Sequence, residues 1–457
     1  MTIWNYLKKH ILRNATQTIC EDNRSMSFEK MIIEVELLSK KLRGVKCCAI
    51  QCSSEMNAAI VLLACLAAQV TAVPLSKRYG ETHCNKIIDF ISPSVIVQDP
   101  HNEIMLYVNQ GSQYIAPSQH PALIMCTSGT TGRPKGVMLS EKNIITNLSD
   151  ISEYFQIDNS DSILISRPLY HCAVLTGEFL TALINGARIQ FYSDKFNPFM
   201  LLDAIKRQNI TIFCGTPTML SAMARFNRDQ VPTTLKKICI SGECMNVSVG
   251  KKIRSAFSNC SIFHLYGLTE ASPRVSYLPP EYFADYPDCV GVPLKSTRTK
   301  ILDEMGRCCS TNVEGVLHIK GKNIMIGYYN NPELTKKVRK KRWLCTGDMA
   351  IINDAGFLKI LGRADDLIIK AGINIYPSEI EDALKQDSRV EEVLVYGVPQ
   401  KYGTTIGMKL VGDFSSVEEI INLCMEVLPP FQVPSNIELV DCLPKNGSGK
   451  LSRREIS

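Results

Sequence analysis

The spacing of apolar residues along the first half of the chain alternates between two patterns. Residues 27–42 carry apolar side chains at helical spacing, whereas residues 47–51 are a short apolar run typical of a strand. Residues 58–68 are apolar almost throughout and predict a buried helix, and residues 70–73 predict the next short strand. Helices and strands that alternate in this way favour layered α/β structure with mainly parallel sheets.

The alternation continues beyond these elements. Short β-rich runs, each next to a helical stretch, occur at residues 163–165, 188–191, 210–213 and 238–241. We therefore expect one large α/β region built of several layers.

The pattern changes between residues 288 and 361. Here short alternating runs are separated by Gly, Asn and Asp, which is typical of antiparallel β structure. The runs are residues 299–303, 315–320, 349–353 and 357–361.

A compact α+β region is predicted to begin at Asp365. Residues 377–384 carry a proline early and acidic residues in the first turns, both of which favour the start of a helix. The sequence thus predicts a large N-terminal domain of layered α/β subdomains plus a β subdomain, residues 1–364. A small α+β C-terminal domain, residues 365–457, follows it.

Composition excludes several classes of protein. The 457 residues are 45% hydrophobic and 21% charged, as in globular proteins, and a net charge of +6 does not indicate a nucleic-acid partner. The longest apolar run, residues 58–68, is shorter than the ~20 residues of a membrane span. Basic residues interrupt the N-terminus, so no signal peptide is predicted and we expect a cytoplasmic protein.

The chain is rich in cysteine, with 18 residues, but no Cys-x-x-Cys pair occurs. Many cysteines stand among apolar residues, for example Cys65, Cys126, Cys214 and Cys239. Reduced cysteines that fill the core are therefore favoured over a disulfide framework or a zinc site.

The segment with the clearest chemistry is residues 125–137, Met-Cys-Thr-Ser-Gly-Thr-Thr-Gly-Arg-Pro-Lys-Gly-Val. It follows an apolar run and so leaves a strand. Glycines such as Gly129 let the backbone approach a ligand, and hydroxyls with free backbone N–H groups form a cradle for an anion. Lys135 adds positive charge. The spacing does not match a Walker loop, yet phosphate binding is favoured over an ordinary polar surface loop. The hydroxyl-bearing residues are Thr127, Ser128, Thr130 and Thr131.

This segment resembles a known family. Residues 127–136 are similar to the phosphate-loop signature of the adenylate-forming (AMP-binding) enzymes, which include acyl- and aryl-CoA ligases, adenylation domains of peptide synthetases, and luciferase. The resemblance covers residues 67–454. Its other motifs follow in the family's order at residues 67–79, 265–270, 315–335, 343–348, 362–366, 370–381, 428–434 and 443–450.

The resemblance implies a nucleotide site. Tyr266 is expected to stack on adenine, Thr269 to reach the α-phosphate, and Glu270 to hold Mg²⁺, because hard cations prefer oxygen ligands. Asp348 is expected to accept hydrogen bonds from the ribose hydroxyls, and Arg363 to contact the ribose. The phosphate loop and the segment around Gly242 and Glu243 complete the expected contacts with ATP.

The resemblance also implies a C-terminal domain that moves between two half-reactions. Asp365 matches the hinge, and Lys450 matches the catalytic lysine of adenylation. Its compact ammonium suits a carboxylate and an α-phosphate that share negative charge. Thr269 and Glu270 complete the expected catalytic set. Ala371 and Gly372 are expected to border the tunnel for the pantetheine thiol.

Residues 168–177 occupy the acid-pocket region of the family. They contain no aspartate that would bind an α-ammonium group, although Glu178 follows directly. Because an unpaired buried ammonium is costly, an acid without an α-amine is favoured. His171 either lines this pocket or is a hydrogen-bonded core histidine. The expected pocket residues are His171, Cys214, Gly215, Thr216, Gly242 and Gly267.

The sequence therefore predicts an AMP-forming acid–thiol ligase that uses ATP and Mg²⁺ to activate an aryl or acyl carboxylic acid. The acceptor is a pantetheine thiol, either of CoA or of the phosphopantetheine arm of a separate carrier protein. The basic residues 336–342 are a candidate docking site for such a carrier. Amino-acid adenylation with carrier loading is the alternative within this class. A nucleotide-binding pseudoenzyme is the remote alternative, against which the retained motif residues argue.

Overall fold

The computed structural model describes residues 1–127, 134–226, 234–370, 373–400 and 403–444, together with Arg453. The helices of these ranges are α1 (Ile3–Leu12), α2 (Phe28–Lys41), α3 (Glu55–Ala68), α4 (Glu81–Ile91), α5 (Glu141–Phe155), α6 (Cys172–Val174), α7 (Thr181–Asn185), α8 (Pro198–Arg207), α9 (Pro217–Phe226), α10 (Val247–Ala256), α11 (Pro332–Val338), α12 (Pro377–Leu384) and α13 (Val417–Val427).

The strands of the larger, N-terminal part of the chain are β1 (Thr18–Glu21), β2 (Arg24–Ser27), β3 (Cys47–Ile50), β4 (Thr71–Pro74), β5 (Val95–Gln98), β6 (Met105–Val108), β7 (Leu123–Thr127), β8 (Lys135–Leu139), β9 (Ser162–Ile165), β10 (Arg188–Phe191), β11 (Ile212–Gly215), β12 (Lys237–Ile240), β13 (Ser261–Gly267), β14 (Arg274–Leu278) and β15 (Val292–Pro293). The later strands are β16 (Thr297–Leu302), β17 (Gly315–Gly321), β18 (Gly327–Tyr328), β19 (Arg339–Lys340), β20 (Trp343–Ile352), β21 (Leu358–Arg363), β22 (Ile368–Lys370), β23 (Ile373–Ile375), β24 (Val390–Gln400), β25 (Gly403–Gly412) and β26 (Asn436–Leu439).

Two large sheets form the N-terminal part of the fold. The first has the strand order β15-β14-β13-β12-β11-β9-β10-β1-β2, and the second has the order β18-β8-β7-β4-β3-β5-β6. The inner strands of both are parallel, and antiparallel strands stand at the edges. Inner strands such as β3 and β9 are buried along their whole length, which is why they are continuous apolar runs rather than alternating ones. The predicted layered α/β fold is confirmed.

The helices begin where side chains cap them. The Ser27 hydroxyl accepts the Lys30 N–H at the start of α2, whose buried face includes Phe28 and Val35. Helix α3 was expected from residue 58 but begins at Glu55. Its first N–H groups find a carboxylate acceptor in Glu21, a long-range partner that local spacing does not reveal.

One strand boundary was wrong. Strand β11 was expected at residues 210–213 but runs from Ile212 to Gly215. The Ile210 N–H donates to the Ile205 carbonyl at 3.0 Å and so still belongs to the end of α8.

The chain divides into two compact units. The first comprises residues 1–299 and 319–344, and the second comprises residues 300–318 and 345–457. The three-stranded sheet β24-β25-β26 of the second unit packs its apolar side chains against α12 and α13. The expected domain boundary at Asp365 remains a prediction, since the second unit also contains residues 300–318. The helix expected at residues 377–384 is confirmed as α12.

The antiparallel region is also confirmed. A five-stranded sheet has the order β16-β17-β20-β19, with β21 paired to β20. The pairing of β20 with β19 and with β21 is antiparallel. Within the described ranges, no helix is both long and apolar enough to cross a membrane.

Candidate active site

The phosphate-loop segment joins two antiparallel strands of the second sheet. Strand β7 ends at Thr127, and β8 begins at Lys135, so these two residues are register partners at the base of the connection. Gly136 is required next to them, because a Cβ there would lie 2.9 Å from Ile124 Cγ2 and 3.1 Å from Tyr329 Cβ. The hairpin therefore brings a hydroxyl and an ammonium group to one edge of the sheet. Ser128, Gly129, Thr130 and Thr131 lie outside the described residues.

The segment after β13 forms a tight turn. The pairing of β13 with β14 shifts register between Tyr266 and Gly267. A Cβ at Gly267 would lie only 2.2 Å from the Pro273 carbonyl oxygen, so the close return of the chain requires glycine there. A 3₁₀ turn, Thr269–Ala271, follows. The turn holds Thr269 and Glu270 just beyond the carboxyl end of β13, which runs parallel to β12, and α/β sheets bind ligands at this end of their parallel strands.

Glu270 is fixed beside the phosphate-loop hairpin. Its Oε1 accepts a hydrogen bond from the Tyr328 hydroxyl at 2.7 Å, and its carbonyl accepts the Met325 N–H at 2.8 Å. Tyr328 belongs to β18, which pairs with β8 opposite Val137. The Tyr266–Glu270 motif and the phosphate-loop motif, far apart in sequence, therefore meet in the first unit. Tyr328 was not singled out from the sequence, although it lies within a recognised motif.

A second connection ties the acid-pocket segment to the same hairpin. The Tyr170 hydroxyl donates to the carbonyl of Cys126, the residue before Thr127, at 2.8 Å. The neighbouring His171 is half-buried, stands at the start of α6 and packs edge-on against the Tyr170 ring. The backbone before it is fixed as well, because the Leu169 N–H donates to Glu55 Oε2 at 3.0 Å.

The other expected pocket residues lie at the carboxyl ends of neighbouring parallel strands. Strand β11 ends at Gly215, and its carbonyl accepts the Ser241 N–H beyond β12 at 3.1 Å. Gly242 has a φ of +100°, and a Cβ there would lie 3.7 Å from Thr216 Cγ2. Cys214 is buried beneath this edge. These segments lie side by side, and their part in binding the acid remains a prediction.

Glu243, expected near adenine, is exposed. Its Oε2 accepts hydrogen bonds from the Thr218 N–H at 3.2 Å and the Thr218 hydroxyl at 2.7 Å. The carboxylate therefore caps the start of α9. Its contact with adenine remains a prediction.

A buried ion pair next to this edge was missed by the sequence reasoning. Arg167 Nη2 lies 2.6 Å from Glu178 Oε1, and the Glu178 side chain is 1% exposed. Burial raises the pKa of the Glu178 carboxyl, and the guanidinium groups of Arg167 and Arg274 act against this rise. Glu178 was noticed in the sequence, but nothing in the local pattern indicates that a residue eleven positions earlier neutralises it.

The second unit contains the expected ribose and hinge residues. Asp348 of β20 and Arg363 of β21 are register partners, and Arg363 Nη1 lies 2.9 Å from Asp348 Oδ1. The same Nη1 donates to the Thr346 carbonyl at 3.0 Å. Asp365 is exposed in the turn Ala364–Asp366. The structure thus brings Asp348 and Arg363 together, whereas their ribose contacts remain predictions. Ala371, Gly372 and Lys450 lie outside the described residues.

Arg453, three residues after Lys450, anchors the C-terminal segment. Its Nη2 lies 2.6 Å from Glu381 Oε1, its Nη1 lies 3.5 Å from Asp366 Oδ2, and its Nε donates to the Val395 carbonyl at 2.9 Å. Glu381 is buried in α12. These contacts join Arg453 to a helix, a strand and the turn next to the predicted hinge, and sequence spacing alone did not reveal them.

The donor set fits a magnesium nucleotide. Thr127 and Thr269 carry hydroxyls, Lys135 carries positive charge, and Glu270 offers a carboxylate of the kind that Mg²⁺ prefers. The hairpin β7–β8 and the turn Thr269–Ala271 together indicate an α/β enzyme that binds a nucleotide. The binding site lies at the carboxyl ends of its parallel strands.

Comparison with known proteins identifies the family. The family described as AMP-binding enzyme matches residues 8–329, and the AMP-binding enzyme C-terminal domain matches residues 379–450. The chain belongs to the AMP-binding enzymes, and it is an AMP-forming acid–thiol ligase. The predicted superfamily and enzyme class are confirmed.

The relatives are acid–CoA ligases. A feruloyl-CoA synthase of Amycolatopsis sp. is 29% identical over 86% of this chain and 85% of its own. A 2-succinylbenzoate–CoA ligase of Bacillus velezensis is 34% identical over 74% of this chain and 68% of its own. Among solved structures, the o-succinylbenzoate CoA synthetase of Bacillus subtilis in complex with its acyl-adenylate has a TM-score of 0.88 at 25% identity, covering 100% of this chain and 98% of that chain. The same enzyme is known with ATP and magnesium, which agrees with the predicted co-substrates.

Proposed function

We propose that this enzyme adenylates an aryl or acyl carboxylic acid that lacks an α-amine, and then transfers the acyl group to the thiol of CoA. The observation that carries the choice of acid is the pairing of Glu178 with Arg167 at 2.6 Å. Glu178 is the one carboxylate next to the expected pocket segment that the sequence offered as a partner for an ammonium group. Because it is already neutralised, an α-ammonium would have no buried counter-ion there.

The residues of the proposed site act in the first half-reaction as follows. Thr127 and Lys135 at the base of the hairpin face the phosphates of ATP, and Thr269 reaches the α-phosphate. Glu270 would hold Mg²⁺, and the ion would neutralise phosphate charge. Tyr328 fixes the Glu270 carboxylate through its hydroxyl. The acid attacks the α-phosphorus, and pyrophosphate leaves. Lys450 stabilises the charge that the two reactants share.

CoA is the proposed thiol, because the relatives named above are CoA ligases. A carrier protein is the other candidate, with residues 336–342 as its docking surface. Part of that basic segment has a structural role, since Arg339 Nη1 donates to the carbonyls of Met325 and Ile326 at 3.0 and 2.9 Å. An assay with either CoA or an acidic carrier protein as acceptor separates the two, and transfer to the carrier alone would contradict the proposal.

We also propose a cytoplasmic location, since most of the cysteines fill the core as reduced thiols, as is usual in a reducing compartment. Fractionation of cells that produce the protein tests this, and recovery in a secreted or membrane fraction would contradict it.

Acid-dependent exchange of pyrophosphate into ATP tests the proposed function. The panel contains aryl acids, short and long fatty acids, and amino acids. We expect exchange with one class of amine-free acids, and we expect Lys450→Ala to lower it by at least about a hundredfold, as for loss of a group that stabilises transition-state charge.

Lys445→Ala is the matched control, because this lysine stands in the same segment and has no expected role in adenylation. It should retain exchange within about threefold. Exchange with amino acids alone would overturn the choice of acid. Exchange that survives Lys450→Ala would overturn the assignment of the catalytic lysine.

A further inference from the structure

A cysteine and a histidine lie side by side in the second unit, close to the expected ribose residues. Cys345 belongs to β20 and His318 to β17, and these two strands are neighbours in one sheet. The Thr346 hydroxyl donates to the Leu317 carbonyl at 2.9 Å, so the strands are held together at the residues next to the pair. The side chains of Cys345 and His318 share a hydrogen bond.

The His318 ring is oriented by the backbone of its own strand. Its Nδ1 lies 3.1 Å from the Val316 carbonyl oxygen. Because a carbonyl can only accept, Nδ1 carries a hydrogen, and Nε2 is left as the ring atom that exchanges a proton with a thiol. A histidine held in this way can take the proton of Cys345 and form a thiolate–imidazolium pair, as in enzymes that use a cysteine nucleophile.

Other groups around the sulfur of Cys345 also favour the thiolate. The hydrogen bond from His318 lowers the pKa of the Cys345 thiol most. The Gly347 N–H, which donates to the sulfur, and the Arg363 guanidinium lower this pKa further, and partial burial acts against them. The same hydrogen bond raises the pKa of His318, whereas burial and Lys300 oppose that rise.

The surroundings of Cys345 differ from those of the core cysteines. Burial raises the pKa of the Cys126 and Cys172 thiols to about 12, so these side chains stay protonated and inert at neutral pH. Cys345 is only partly buried, which leaves access for a small reagent. Exposure alone does not distinguish it, because Cys308 and Cys442 are more exposed. The combination of access with a basic partner is typical of reactive cysteines.

We propose that Cys345 is a site of reversible oxidation by peroxides, with His318 as its base. The thiolate sulfur attacks one oxygen of hydrogen peroxide, and the S–O bond forms as the O–O bond breaks. The leaving hydroxide takes the imidazolium proton of His318, so the products are a sulfenic acid and water. The sulfur is oxidised and the peroxide is reduced. A small thiol then forms a mixed disulfide with release of water, and a second small thiol restores Cys345 and leaves as a disulfide.

Oxidation at this position is expected to weaken the binding of ATP. Arg363 Nη1 lies 2.9 Å from Asp348 Oδ1, and Arg363 Nη2 would lie 2.9 Å from a Cβ at Gly347. The oxygen added to Cys345 is a new acceptor for this guanidinium and competes with Asp348. This consequence rests on the proposed function, because it needs Asp348 and Arg363 to contact the ribose. The oxidation itself does not depend on it.

Alkylation of the full-length protein by limiting iodoacetamide at pH 7, followed by mass spectrometry, tests the reactive site. We expect Cys345 to react at least about tenfold faster than the more exposed Cys442. His318→Asn should slow the reaction of Cys345 by about tenfold, shift its rise with pH to higher pH, and leave Cys442 within about twofold. A Cys345 that reacts no faster than Cys442, or that is indifferent to the loss of His318, overturns the proposal.

Hydrogen peroxide tests the oxidation and its consequence. Dimedone, which reacts with sulfenic acids, should label Cys345 when it is present during the treatment. Pyrophosphate exchange at subsaturating ATP should fall by about fivefold through a higher KM for ATP, as for a weakened hydrogen bond to a charged group, and dithiothreitol should restore it. Cys345→Ser is the matched variant, because it has no sulfur at this position, and it should keep its own untreated rate within about twofold.

Each outcome separates one step from the others. A wild-type protein in which dimedone does not label Cys345 overturns the oxidation. Equal loss of exchange in the wild type and in Cys345→Ser shows that another group is responsible and overturns the link to ATP binding. An untreated enzyme without exchange for any acid overturns the proposed function, and the labelling rates then still decide whether Cys345 is the reactive site.

Discussion

Glu55 stands first in α3 and carries a buried carboxylate that accepts the Leu169 N–H at 3.0 Å. Burial raises its pKa to about 7; the Leu169 N–H and Arg78 oppose the rise, and Glu21 and Asp99 add to it. The side chain that positions the backbone just before His171 is therefore one that changes charge near neutral pH.

This pKa has a consequence for stability. In the unfolded chain Glu55 titrates near ~4.3, so between that value and about 7 the native state binds the proton more strongly. The free energy of unfolding therefore falls as the pH rises through this window, by up to ~4 kcal/mol from this residue. Glu55→Gln keeps an acceptor for Leu169 but cannot ionise, so the variant should gain stability relative to the wild type as the pH rises from 5 to 7.5.

Urea unfolding of the variant and the wild type at several pH values measures this gain in stability. Groups that titrate in both proteins contribute equally, so their effect cancels when one free energy of unfolding is subtracted from the other. A difference in midpoint that is constant from pH 5 to 7.5 would show that Glu55 does not titrate in this range.

The sequence predicted which residues form the site better than it predicted their hydrogen-bond and ion-pair partners. Glu270 was singled out by its motif, yet its hydrogen bond to Tyr328 spans 58 positions. Arg167 and Arg274 were not singled out at all. Motifs identify the side chains that contact the substrate. The residues that hold those side chains in place come from distant parts of the chain, and only tertiary packing brings them near.

The hairpin β7–β8 is the element on which the phosphate site depends. Gly136 lets β8 approach Ile124 and Tyr329, and a Cβ there would lie 2.9 and 3.1 Å from their atoms. Gly136→Ala should therefore force the hairpin apart, destabilise the protein by about 1–3 kcal/mol, and raise the KM for ATP. Thermal unfolding and initial-rate kinetics measure both effects.

Gly111→Ala is the matched control. A Cβ at Gly111 would meet only Asn109 Oδ1, at 3.8 Å, which is an ordinary contact. An equal loss of stability in both variants would attribute the effect to glycine replacement in general rather than to packing of the hairpin.

Element types were predictable because periodicity reflects burial, as in α2 and in the inner strands. Pairing over long distances was not predictable. Strand β18 joins the second sheet next to β8, which precedes it by almost two hundred residues. Helix α3 begins earlier than expected because the neighbouring Ser54 side chain caps it and because Glu21, more than thirty residues away, accepts its first N–H groups.

At the scale of the whole molecule, a substitution at Asp365 tests the prediction that the C-terminal domain moves between the two half-reactions. It is exposed in a 3₁₀ turn of the second unit. Asp365→Pro fixes φ near −65° and restricts rotation at this point. If the C-terminal domain turns about this residue, pyrophosphate exchange should stay within about threefold while acyl-thioester formation falls by tenfold or more.

Asp365→Ala separates the two properties of this residue, since it removes the carboxylate without restricting φ. Equal rates of thioester formation in the proline variant and the wild type would refute the hinge. Loss of adenylation and transfer together would indicate misfolding instead.

Arg453 is anchored on Glu381 and Val395, and this limits how far Lys450 can lie from these residues. A peptide unit spans at most about 3.8 Å, so the Cα of Lys450 stays within ~11 Å of the Cα of Arg453. Arg453 therefore ties the predicted catalytic lysine to the second unit by covalent geometry alone.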